Sequence, residues 1–245
     1  MPWAIVTSHR LFYRSDLTAN SCPFVLNTHY YLNDGKRSKI CNAAYQERRL
    51  AAINASPDPA IVVIGGRYPV FLDNVFFDNG EGGFEDEVFG EFIPDNGGDF
   101  KDALRGSIET LTAAGHHVVL VYPIPPVGWH VPKRLFEKVK GMDLVQIRDV
   151  LQNDPVSTDA DIYHEDSHST FALFNSIQHP NIHRVYPHTL FCNTVISGRC
   201  VTHDENDIFY DDDDHPSAKG AAMINALIDD AVRAADTAIK TARDR

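Results

Sequence analysis

The apolar residues of this chain fall into short continuous runs alternating with helical spacing. Ile61-Val62-Val63-Ile64 is one run, ended by Gly65-Gly66, and Val118-Val119-Leu120-Val121 is another, ended by Pro123, Pro125 and Pro126. Runs of this length bounded by turn formers predict buried parallel strands. Between them Phe100, Leu104, Ile108 and Leu111 recur at helical spacing and Gly115 supplies a stop, so the unit reads strand, helix, strand. Upstream, Lys39 to Ile53 predicts a helix through Ala43, Ala44, Leu50, Ala51 and Ile53, ending before Ser56-Pro57-Asp58-Pro59. Downstream, Ile182 to Tyr186 predicts a short strand. Beyond Pro216, the residues Met223, Ile224, Leu227, Ile228 and Ala231 share one helical face, with Pro216 suited to the first position.

Two stretches resist this reading. Asp73 to Gly98 is polar and glycine-rich and predicts a surface excursion near the site. Lys133 to Phe174 is mixed, with a charged helix expected and no clear strand. The expected architecture is a three-layer α/β domain with a central parallel sheet, its site residues carried by loops at the carboxyl ends of strands.

At 245 residues, 43% of them hydrophobic, residues 1–245 read as a single domain with a sizeable core. The net charge of −12, from 22 basic and 34 acidic residues, argues against a nucleic-acid partner, because phosphates would be repelled. No stretch reaches the length of a membrane span, and the start MPWAIVTSHR lacks the apolar centre of an export signal.

The run Asp211-Asp212-Asp213-Asp214-His215 places an imidazole three residues after a carboxylate at the mouth of the final helix. A histidine that accepts and returns a proton near neutral pH needs a carboxylate to orient its ring and stabilise its charged form. Asp212 and His215 therefore read as the orienter and the base of a hydrolase or acyl-transfer site. The same string also suits a solvated acidic loop, or a calcium site built from hard oxygen ligands.

The cysteines form two sequence-local pairs, Cys22 with Cys41 and Cys192 with Cys200. Neither pair has the two-residue gap of a zinc knuckle. Both span polar, turn-forming segments, where a cross-link compensates for missing core, so disulfides and an oxidising compartment are expected; four reduced thiols are the alternative.

Leu190-Phe191-Cys192, Gly198-Arg199-Cys200, Ile208-Phe209-Tyr210, Asp212 to His215, Ser217, Gly220 and Ala221 together resemble the final block of SGNH hydrolase domains fused to membrane acyltransferase-3 proteins. Those bacterial proteins O-acylate cell-surface polysaccharides. Ser21-Cys22-Pro23 resembles the group's cysteine-proline segment, Ile61 to Tyr68 its central strand, and Val118 to Gly128 its strand followed by a proline-rich turn.

The resemblance assigns the catalytic base to His215 and its orienting carboxylate to Asp212. The family's serine nucleophile stands in a Gly-Asp-Ser-His segment after the first strand, and no such segment occurs here; the nearest string is Thr7-Ser8-His9. With Leu11-Phe12-Tyr13 read as part of the second strand, the first strand and its serine are expected to be absent, the domain being truncated at its amino end. The family's oxyanion hole uses an asparagine after the central strand, where this chain reads Gly65-Gly66-Arg67-Tyr68. Gly66 offers a backbone N–H and Arg67 a charged donor, against the plainer roles of a turn and a surface ion pair. Tyr68 and Trp129 either stack on a sugar ring or cover the core.

The implied function is transfer or removal of acyl groups, such as acetyl, on cell-envelope polysaccharide in the periplasm, with the chain tethered through a membrane acyltransferase domain upstream. A non-catalytic carbohydrate-binding module on the same fold is the alternative, and a calcium-binding structural domain the third reading. Polysaccharide or a small acyl ester is the expected ligand; no cofactor and no metal are implied.

Overall fold

Both continuous apolar runs become strands at the centre of one sheet. The structure, a computed structural model, describes residues 3–7, 15–19, 21–73, 76–85 and 90–244. In chain order its elements are β1 (Trp3–Thr7), β2 (Ser15–Asp16), β3 (Thr28–Tyr31), α1 (Ala43–Asn54), β4 (Ile61–Gly65), α2 (Tyr68–Asp73), β5 (Glu91–Pro94), α3 (Phe100–Ala113) and β6 (His117–Val121). They continue with α4 (Val131–Val139), α5 (Leu144–Asn153), β7 (Ser157–Asp159), α6 (Ala160–Asp166), α7 (His168–Ser176), β8 (Ile182–Val185), a single 3-10 turn (Pro187–Leu190), β9 (Arg199–Val201) and α8 (Ala218–Arg243).

The main sheet has the order β2-β1-β4-β6-β8, with β4, β6 and β8 parallel. Every residue of β4 and β6 is buried, because helices cover both faces. Val62, Ile64, Val118 and Leu120 face Ile53, Leu104, Ile108, Leu111 and Phe174 from α1, α3 and α7. Their neighbours Ile61, Val63, Val119 and Val121 face Ala235 and Ile239 of α8. The alternation along each strand thus divides one apolar run between two cores, which is the expected three-layer α/β arrangement.

The edge beside β4 carries an antiparallel strand, unlike the parallel first strand that the resemblance implies. Trp3–Thr7 pairs with β4 antiparallel, in the register Trp3 to Gly65 through Thr7 to Ile61, and β2 adds a two-residue strip. This β-branched and aromatic stretch suits a strand. Leu11-Phe12-Tyr13, together with Ser8 and His9, lies outside the described residues.

α3 starts at Asp99, whose carboxylate accepts the N–H of Lys101, and stops at Gly115, whose φ of +87° suits glycine. Lys133 to Phe174, expected to hold one charged helix, folds into four helices and the three-residue β7. β7 pairs with β9, a partner distant in the chain, and so leaves no local signature. Pro216 is not the first helical residue either. Ser217 caps α8 by accepting the N–H of Gly220, and Pro216 precedes the cap.

Two disulfides form with the pairing expected, Cys22 to Cys41 and Cys192 to Cys200. The first is buried against Gln46 and Arg49, whose side chains donate to the carbonyls of Cys22 and Pro23. Among the described residues no helix is long and apolar enough to cross a membrane.

Candidate active site

Three loops meet at the carboxyl ends of β4 and β6. The acidic loop before α8 is held by its backbone: the carbonyl of Asp213 accepts the N–H of Val127 from the proline-rich loop after β6, and that of Asp212 the N–H of Val131 at the start of α4. From the other side, the N–H of Ser217 donates to the carbonyl of Phe209, and the Ser217 hydroxyl donates to that of Ile208. α8 therefore enters at a fixed place, and His215 sits two residues before its cap.

The imidazole of His215 is aimed by two carboxylates. Its Nδ1 lies 2.9 Å from Asp212 Oδ2 and 2.7 Å from Asp214 Oδ1. Ionised carboxylates only accept, so Nδ1 carries the proton and Nε2 is the nitrogen available for exchange. The His215 side chain is 43% exposed, open enough to meet a substrate. Asp212 is fixed in turn by the backbone N–H groups of His215 and Asp214, at 2.8 and 3.1 Å. Burial pushes the Asp212 carboxyl upward, but these donors and the imidazole outweigh it and hold it below the usual carboxylate range.

Asp214 behaves differently. Only 8% exposed, it pairs with Arg67 at 2.7 Å, yet burial raises its carboxyl above the ordinary value despite Arg67 and His215. Arg67 also pairs with Glu85, which is 2% exposed and whose Oε1 has no hydrogen-bond partner among the described residues. Burial pushes Glu85 up to about 7, Arg67 opposing and Asp214 adding to the rise. Asp166 at the end of α6 is likewise raised by burial to about 6, with Arg67 opposing. One guanidinium thus stands among several carboxyls, and its charge is engaged before any substrate arrives.

Of the residues singled out in the sequence, Asp212 and His215 come into contact, and Arg67 joins them through Asp214. Gly66 forms the turn between β4 and α2. Of the two roles open to Tyr68, stacking on a sugar or covering the core, its burial favours the second: it is 1% exposed and packs edge-on against Phe174. Trp129 is partly exposed and lines a groove of about 640 Å³ with Arg134, Lys138, Asp154 and Arg199, the Arg134 guanidinium 4.9 Å from its ring centre.

Sequence reasoning missed Glu85 and Asn79. Asn79 is fully buried; its amide donates to the Val127 carbonyl and its oxygen accepts the N–H groups of Glu81 and Gly83, tying the 78–84 loop to the proline-rich loop. The excursion placed near the site thus delivers a carboxyl and a clamp. Asp212, Asp214 and His215 also bring their ligand atoms within 4.8 Å of one another, a spacing compatible with a cation; hydrogen bonds and the Arg67 pair already occupy these groups.

A family model described as "SGNH domain (fused to AT3 domains)" matches residues 12–230. A solved structure, the periplasmic domain of a lipopolysaccharide acetyltransferase from Salmonella ser. Paratyphi A, is similar at 17% identity and a TM-score of 0.48, over 86% of this chain and 67% of that one. Among curated proteins none matches the chain.

Proposed function

The chain belongs to the family of SGNH domains fused to AT3 domains, and from that membership we propose that it transfers or removes acyl groups on cell-envelope polysaccharide in the periplasm. The observation that carries this reading is the Asp212–His215 pair: an imidazole partly open to solvent, its Nδ1 held at 2.9 Å by a carboxylate that stays readily ionised. The two disulfides support an oxidising compartment.

In this mechanism Nε2 of His215 takes the proton of a serine hydroxyl as its oxygen attacks the acyl carbonyl. Asp212 stabilises the imidazolium so formed. Collapse of the tetrahedral intermediate expels the donor's leaving group with that proton and leaves an acyl-serine. A sugar hydroxyl or water, deprotonated by His215, then takes the acyl group and regenerates the hydroxyl. The family's fusion to AT3 domains supports a membrane acyltransferase domain as the partner in this reaction. Arg67, engaged by Asp214 and Glu85, serves as their counter-charge rather than as an oxyanion donor.

A fluorophosphonate probe tests this on the full-length gene product. Labelling at a serine, lost in His215→Ala, is the expected result, with p-nitrophenyl acetate hydrolysis falling roughly 10³-fold or more. Labelling that His215→Ala leaves untouched, or no labelling of that protein, overturns the acyl-transfer reading. In the latter case saccharide binding by the unlabelled protein identifies a carbohydrate-binding module.

A further inference from the structure

α5 is a ten-residue helix with five apolar side chains, Leu144, Val145, Ile147, Val150 and Leu151, and not one of its residues is buried. A surface helix ordinarily spends such residues on a core-facing stripe. Here Ile147, Val150 and Leu151 are partly covered, while Leu144 and Val145 are 84% and 79% exposed. Phe136 of the preceding α4 is 63% exposed. The hairpin is well formed all the same. Asp143 caps α5 by accepting the N–H groups of Val145 and Gln146, while the Gln146 side chain accepts the N–H of Asp143. The outward apolar groups therefore belong to an ordered element.

Charge separates this hairpin from the rest of the molecule. Residues 131–150 hold five basic side chains against three acidic ones, in a chain where acidic residues outnumber basic ones 34 to 22. Two of the bases face the neighbouring groove, Arg134 over Trp129 and Lys138 on Asp154 at 2.8 Å. The other three, Lys133, Lys140 and Arg148, are exposed and have no ion-pair partner among the described residues. Of the acids, Asp143 is occupied in the cap, Asp149 accepts from Asn153, and Glu137 lines the groove.

We infer that the α4–α5 hairpin is a docking surface for an anionic lipid bilayer. Exposed Phe136, Leu144 and Val145 enter the headgroup boundary, and Lys133, Lys140 and Arg148 meet lipid phosphates, the pairing of apolar and basic groups that interfacial helices use. The strongly acidic remainder of the surface is repelled by the same bilayer, so the hairpin also sets orientation. Binding through one short hairpin is weak, reversible and salt-sensitive. The groove lined by Trp129 adjoins α4, which places it, and the His215 loop beyond, beside the lipid surface.

Flotation of the chain with phosphatidylcholine vesicles, with and without phosphatidylglycerol, tests the inference. Flotation with the phosphatidylglycerol vesicles alone, reversed by added salt, is expected. The triple change Phe136→Ser, Leu144→Ser and Val145→Ser, and separately Lys133→Glu, Lys140→Glu and Arg148→Glu, should each weaken it about tenfold or more at unchanged circular dichroism and melting temperature. No flotation with either vesicle overturns the inference, as does flotation that both variants retain. Self-association in sedimentation, abolished by the triple serine variant, overturns it in favour of a second copy as the occupant.

Discussion

The Oδ1 of Asp214 lies 2.7 Å from the Nδ1 of His215. The imidazole that Asp212 orients therefore has a second carboxylate at the same nitrogen, one that burial raises above its ordinary range while Asp212 is held below it. Asp212, whose charge is held by two backbone N–H groups, is the carboxylate that remains an acceptor for Nδ1–H and a counter-charge for an imidazolium to lower pH. Asp212→Asn should move the neutral imidazole toward the Nε2–H tautomer, whereas Asp214→Asn should keep Nδ1–H. Nitrogen-15 shifts of His215 in the labelled chain read this directly. In the full-length gene product the corresponding losses of esterase activity should be roughly 10⁴-fold for the first and about tenfold for the second. Equal effects in both measurements would assign the orienting role to the pair.

Gly220 and Phe209 set how closely α8 approaches the strand-like segment before the acidic loop. A Cβ at position 220 would lie 2.2 Å from the Phe209 carbonyl oxygen, a backbone atom that is itself bonded to the N–H of Ser217. Gly220→Ala should lower stability by about 2 kcal/mol in urea denaturation, since neither backbone can yield cheaply. Gly106 lies inside α3 with open space where its Cβ would be, so Gly106→Ala should raise stability by about 0.5–1 kcal/mol. The opposite signs distinguish a steric requirement from a propensity effect.

Much of the frame is legible in the sequence because each element announces itself locally. Strands buried on both faces leave continuous apolar runs, as at Ile61 to Ile64 and Val118 to Val121. α3 and α8 leave one-sided stripes, and the cysteine pairs close short loops. Asp212 and His215 are legible because the turn that joins them is itself local. Glu85 and Asn79 are not, since their burial depends on a loop from a different part of the chain folding over the site. Tyr68 is left open between two roles for a different reason: an aromatic following a strand reads the same whether it faces a cleft or, as here, Phe174.

The Glu85 carboxyl is raised from 4.5 to about 7, chiefly by burial. A folded state that holds its proton more tightly than the unfolded chain gains stability that is fully present below about pH 4.5 and is lost as pH rises through 7. Asp166 acts in the same direction, and the buried His116, His117 and His203 with the partly buried His183 and His188, all lowered first by burial, act in the opposite one. A difference measurement isolates Glu85. The stability of Glu85→Gln relative to the parent should rise between about pH 4.5 and pH 8, by at most about 3 kcal/mol because the Arg67 pair is lost with the charge. A flat difference would mean that Glu85 is ionised throughout.

The two disulfides should differ in what they hold, though not in how much. Closing loops of 19 and 8 residues restrains the unfolded chain by about 3 kcal/mol each, so replacing either pair by serine should cost stability of that order. Cys22–Cys41 is tied to α1 through Gln46 and Arg49, away from the acidic loop. Cys192–Cys200 closes the segment in which the Val201 N–H donates to Phe191, Thr202 accepts from Phe209, and Phe209 accepts from Ser217, the cap of the helix that follows His215. Local opening there is therefore transmitted along a ladder of backbone bonds to the candidate site. Replacing Cys192 and Cys200 should speed amide exchange at Phe209 and Ser217 by more than the global loss of stability accounts for, whereas replacing Cys22 and Cys41 should change both sites only by the global amount. Equal acceleration in the two variants would leave the second disulfide a general brace with no particular hold on His215.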